Sequence, residues 1–112
     1  MPEPKLAQIE HCLEHAETRM LQAEFADAEN EEILYQEATD LLIEAETIMK
    51  GSGAWLMAGL HARRGNGKMC VQWLERARGA SMLPAADEIR DHIHFTKAKS
   101  KDWLKQWLEQ LP

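Results

Sequence analysis

This chain of 112 residues is poor in most of the features that announce a function. Two cysteines, Cys12 and Cys70, are too few for a disulfide framework, and each reads as a small buried or half-buried thiol. Four prolines and six glycines exclude a low-complexity or fibrous chain. No window approaches the roughly 18 uninterrupted apolar residues that a membrane-crossing helix needs. The first twenty residues interleave charge with apolar residues, so they do not read as a secretory leader, and a cytoplasmic protein is expected. There is no basic excess: the net charge is −6, against general nucleic-acid affinity, which needs clustered Lys and Arg to neutralise phosphates. Nucleophile elbows and paired-cysteine metal motifs are missing, and Gly65-Asn66-Gly67-Lys68 lacks the spacing and preceding strand of a phosphate loop. No two strand-like runs are joined by hairpin chemistry, so the fold class reads as all-α.

What is present is the composition of one folded domain spanning residues 1–112, with 45% apolar and 29% charged residues. Its charge is unevenly spread. Residues 1–50 carry 13 acids against 3 bases, and residues 51–112 carry 6 acids against 10 bases, so the halves stand at −10 and +4. Leu6, Ile9, Leu13, Ala16, Met20 and Ala23 recur at steps of three and four, which predicts a first helix from about Lys5 to Phe25. Asn30 is the expected cap of a second helix, whose stripe runs Leu34, Ala38, Leu41, Ala45 and Ile48, backed by Tyr35, Leu42 and Met49. Gly51-Ser52-Gly53 breaks it. A third helix from Ala54 to Arg64 sets Trp55, Ala58, Gly59 and Ala62 on one face, small residues that admit a close neighbour. A fourth, to about Arg78, carries Cys70, Trp73, Leu74 and Ala77. Ile89 to Phe95 reads as a short fifth helix or as a strand. A sixth, capped by Ser100, aligns Leu104, Trp107, Leu108 and Leu111.

An internal repeat organises these helices. Moving the second helix forward by 32 positions sets Ala38 on Cys70, Leu41 on Trp73, Leu42 on Leu74 and Ala45 on Ala77. Moving the fourth forward by 34 sets Trp73 on Trp107 and Leu74 on Leu108, while Met20 to Phe25 falls on Trp55 to Leu60 at an offset of 35. The chain therefore reads as three helical hairpins, units 5–50, 53–81 and 85–111, which bury their apolar faces by stacking. The spacing Trp55-Leu-Met-Ala58-Gly59 with Cys70, Leu74 and Ala77, and the run Tyr35-Gln-Glu-Ala38-Thr-Asp-Leu-Leu42-Ile-Glu-Ala45, resemble the tetratricopeptide repeat over roughly residues 15–80. That resemblance implies a short right-handed superhelix that performs no chemistry, takes no cofactor, and holds a segment of a partner protein in a concave groove.

If Trp55, Ala58, Gly59 and Ala62 pack inward, Leu56, Leu60 and Arg63 share the adjacent stripe. By the repeat offsets, Leu21 and Phe25 of the first unit and Arg90 and His94 of the third line the same surface. The expected groove is apolar at one end and basic at the other, suited to a partner with an apolar anchor and acidic flanks. Leu21 and Phe25 also fit as ordinary core of a helix buried on two sides. Asp87 and Asp91 on the third unit argue against capture of acidic chaperone tails, which some members of the family perform. A second reading is self-assembly, with the acidic half of one copy against the basic half of the next.

One catalytic spacing occurs: His11-Cys12-Leu13-Glu14-His15 fits H-x-x-E-H, in which two histidines one turn apart bind zinc beside a glutamate base. Both histidines lie off the apolar stripe, and 112 residues leave no room for a peptidase chamber, so a solvated face is the expectation for His11, Glu14 and His15. His92 and His94 diverge if helical, and share a metal only in a strand or loop. Trp55, Trp73, Trp103 and Trp107 read as packing between repeats, with Trp103 off the main stripe.

Overall fold

The computed structural model describes residues 4–111, which are helical throughout their regular structure, with no strand among them. Six helices follow in order: α1 Pro4–Ala23, α2 Ala28–Ile48, α3 Ala54–Arg63, α4 Gly67–Gly79, α5 Ala86–Asp91 and α6 Asp102–Glu109, with a 3-10 turn at Ile93–Phe95 between the last two. No helix is long and apolar enough to cross a membrane among the described residues.

α1 buries Ile9, Ala16, Met20 and Ala23 of the stripe its spacing predicts, with Cys12 buried where the spacing points to Leu13, which is half-buried, and Leu6 exposed on the first turn. α2 buries Tyr35, Ala38, Leu42 and Ala45. Its start differs from expectation: the cap is Asp27, whose carboxylate accepts from the backbone N–H of Asn30 at 2.9 Å and from its side-chain amide at 3.2 Å. Asp outcompetes Asn30 because its charge also meets the positive end of the helix. α6 begins at Asp102 after Lys101, without the expected Ser100 cap. The segment read as helix or strand splits, because His92 adopts extended backbone (φ −71°, ψ 144°) between α5 and the 3-10 turn.

The packing order follows from paired contacts. Cys12 meets Glu44 and Arg19 meets Glu37, so α1 and α2 run antiparallel. Gly53 lies against the Leu42 carbonyl and Arg64 reaches Glu32, which sets α3 antiparallel to α2 and parallel to α1. α4 returns along α3, and α6 lies on α4 in the same direction, with Trp103 against Gly67 and the Trp107 indole donating to Glu75 at 2.7 Å. The third hairpin expected over 85–111 is not seen as a packed pair among the described residues: α6 packs on α4 instead of on α5, and the 3-10 turn packs on α3.

α3 is the pivot of the core. Met57 and Leu60 join Ala16, Met20, Ala23, Tyr35, Ala38 and Leu42 on one side. On the other side Ala58 and Ala62 join Cys70, Leu74, Ile89, Phe95, Leu104 and Trp107. Trp55, Trp73 and Trp103 pack half-buried against that second cluster. The molecule measures 41 × 37 × 19 Å, and its thin dimension is that of two helix layers.

Candidate functional site

Three elements converge where α1 and α3 end. α1 carries Glu17 and Leu21 one turn apart beside its buried stripe, and Glu24 follows in the turn just after Ala23. α3 contributes Arg63, and the 3-10 turn contributes His94, which is 1% exposed. His94 turns inward because the extended residue His92 breaks the helix and accepts the His94 backbone N–H on Nδ1 at 3.1 Å. Gly59 makes room for the ring: a Cβ there would lie 3.0 Å from His94 Cβ and 3.2 Å from its ring carbons.

The side chains then form one chain of hydrogen bonds. Arg63 Nε donates to His94 Nδ1 at 2.7 Å, and Arg63 Nη1 donates to Glu24 Oε2 at 3.0 Å. Since the guanidinium is always protonated, Nδ1 is the acceptor and the imidazole proton sits on Nε2, where it is donated to Glu17 Oε2 at 2.7 Å. Burial lowers the His94 pKa, the Glu17 hydrogen bond raises it, and the Arg63 charge lowers it; the net direction is down. A neutral imidazole thus links the Glu17 carboxylate to the Arg63 guanidinium, which in turn holds Glu24, and the chain ties α1 to α3 and to the 3-10 turn. Each hydrogen bond to a charged group in such a chain contributes about 1.5–3 kcal/mol, less where the carboxylate meets water, as both glutamates do.

This arrangement redistributes the residues expected to line a basic groove. Arg63 and His94 are brought together but buried: Glu24 meets the Arg63 charge through Nη1, Glu17 meets the His94 ring, and Arg63 Nη2 is left buried without a partner. Leu60 is fully buried and Leu56 half-buried, because α3 is covered from both sides. Arg90 points away and pairs with its neighbour Asp91 at 3.2 Å; the break at His92 separates its face from that of His94. Leu21 and Phe25 are exposed, and Phe25, on the turn after α1, is 90% accessible. Ile93, next to His94, is also exposed. The outer surface at the end of α1 therefore carries exposed Leu21 and Phe25 along with Glu17 and Glu24, and Ile93 is exposed on the 3-10 turn whose His94 reaches Glu17. The two glutamates are the site residues that repeat offsets did not reveal. Their signal was the spacing Glu17, Leu21, Glu24, legible only once the positions of Arg63 and His94 supplied a reason for it.

The remaining candidates stand apart. His11 and His15 lie on the exposed face of α1 with their rings tilted by 40° and centroids 4.1 Å apart. His92 and His94 come within 4.8 Å through the 3-10 geometry. Among the described residues no three His, Cys, Asp or Glu side chains cluster as a metal would require. The Cys12 thiol donates to Glu44 at 2.7 Å, and burial together with that carboxylate pushes its pKa up to about 11. Burial pushes Cys70 to about 12. Comparison with family models, curated proteins and solved structures returned no match to this chain.

Proposed function

We propose that this chain is a non-enzymatic protein-interaction module built as a short tetratricopeptide-like stack, and that it holds a partner segment against the surface formed by Leu21, Phe25 and Ile93. The antiparallel run of α1, α2, α3 and α4, which leaves α1 parallel to α3, supports the stacked-hairpin reading over residues 4–79. The observation that carries the interaction reading is Phe25, 90% exposed with Leu21 one turn behind it, in a chain that buries its other phenylalanine completely. The interaction reading assigns His94 a structural part, since both of its ring nitrogens are engaged within the protein.

The partner's chemistry follows from the charge. With Arg63 and His94 turned inward and Glu17, Glu24, Asp27 and Glu29 outside, the surface fits a segment with an apolar anchor and basic flanks, the reverse of the acidic partner expected from sequence. Selection of displayed random peptides on the folded protein tests this. Peptides pairing Leu, Phe or Trp with Lys or Arg, and losing at least tenfold in affinity for the Leu21→Ser/Phe25→Ser protein, are expected. Selected peptides that are acidic, or that bind the double variant equally well, would overturn it.

A further inference from the structure

We infer that the segment fitting Phe25 is carried by a second copy of this chain, whose opposite end presents a largely apolar socket with Arg78 in its wall and Lys50 and Arg76 on the neighbouring cleft. This inference rests on the interaction reading above and names its partner. The two ends are opposite by construction: α1 and α3 finish together at the Phe25 end, and α4, running back along α3 for 13 residues, finishes about 20 Å away. There the turn at Gly51 abuts Ala80, so the C-terminal ends of α2 and α4 meet.

At that far end a cavity of about 260 Å³ opens between Leu83, Pro84, Ala85, Ala86 and Leu111, with Arg78 at its edge. It falls below the roughly 300–1,000 Å³ of pockets that hold whole small molecules, and its apolar wall suits a single large side chain. Beside it a wider cleft presents Lys50 and Arg76 along with Glu75. Arg78 is held only by a loose exposed pair, at 3.7 Å to Glu75, which exchanges partners at little cost, while Arg76 lies over the Trp73 ring and 3.8 Å from the more buried Glu46, with its side chain still half exposed. The Phe25 turn is the complement, an aromatic side chain standing clear of the surface among the exposed carboxylates of Asp27, Glu29 and Glu31. Phe25 of one copy in the Leu83–Leu111 socket of the next, with its acidic surround over Lys50, Arg76 and Arg78, buries the most exposed aromatic residue and pairs the two charge signs. The contact joins different patches on the two copies, so it propagates head to tail instead of closing as a symmetric dimer.

The test uses two variants that leave the fold alone. Phe25→Ser removes an exposed side chain. Ala85→Asp places a carboxylate at the mouth of the socket, on an exposed residue in the extended N-cap geometry of α5, where Asp favours the helix. In sedimentation velocity, the wild type is expected to self-associate with concentration, and each variant alone to remain a monomer. Mixed, Phe25→Ser supplies an intact socket and Ala85→Asp an intact knob, so the mixture is expected to stop at a one-to-one dimer. A wild type that stays monomeric to about millimolar concentration, or an oligomer indifferent to both variants, overturns the inference. Peptide binding separates it from the reading beneath, because Ala85→Asp leaves the Phe25 surface intact and keeps full affinity for selected peptides. Loss of peptide binding in that variant would overturn the assignment of its effect to the socket.

Discussion

Acidification should weaken this protein by a predictable amount through His94. In the native state the imidazole is buried and neutral, with Nδ1 facing the Arg63 guanidinium, Nε2 on Glu17 and His92 alongside. Burial, chiefly, holds its pKa below the usual value near 6.5. The unfolded chain therefore binds a proton that the native chain refuses, and stability falls as pH drops below about 6.5 until the lowered native value is reached. Between pH 7.5 and 5.5 one such histidine removes up to about 1.4 kcal/mol. With an unfolding entropy of about 2.1 cal/mol/K per residue, that corresponds to a drop of about 6 °C in Tm for 112 residues. Carboxylates and His61, itself lowered by burial and by Arg64, add their own pH dependence, so the informative quantity is a difference. Urea unfolding of wild type and His94→Gln across this range should show the variant losing less by about 1.4 kcal/mol, since Gln does not titrate. Equal pH slopes, or an NMR titration of His94 at or above 6.5, would refute the argument.

Two further outcomes follow from the same core. Gly59→Ala gains about 1 kcal/mol of helix propensity, but its methyl would meet His94 at 3.0 Å, and overpacking of about 1–3 kcal/mol should leave a net loss in thermal or urea denaturation. A more stable variant would show that the His94 ring does not rest on α3. Cys12 and Cys70, buried and raised to about 11 and about 12, should resist DTNB at pH 8 in the native state and both react in denaturant. Fast labelling of the native protein at either thiol would contradict that burial.

The all-helical class and the stripes of α1 and α2 were legible in the sequence, because a three-to-four periodicity reports directly which face of a helix leaves water. Ile9, Ala16, Met20, Ala23, Ala38 and Ala45 stood on the stripes read from spacing and are buried. Caps were harder to read. Asp27 and Asn30 are both good caps three residues apart, and the choice between them turns on how far α2 extends before the Phe25 turn.

The face of α3 lay beyond sequence reasoning. Its spacing sets Leu56, Leu60 and Arg63 on one stripe, but whether that stripe is groove or core depends on what covers it. α1 and α2 cover Leu60 from one side, and the 3-10 turn delivers His94 from the other. Periodicity within a helix determines which residues share a face; only the packing of distant segments determines whether that face meets water, protein or a buried charge. The sequence by itself settled that this chain is helical and that its charge is divided between its halves. The tertiary structure decided that the Arg63 charge is met by Glu24 and the His94 ring by Glu17, since contacts 39 and 77 residues apart leave no periodic trace.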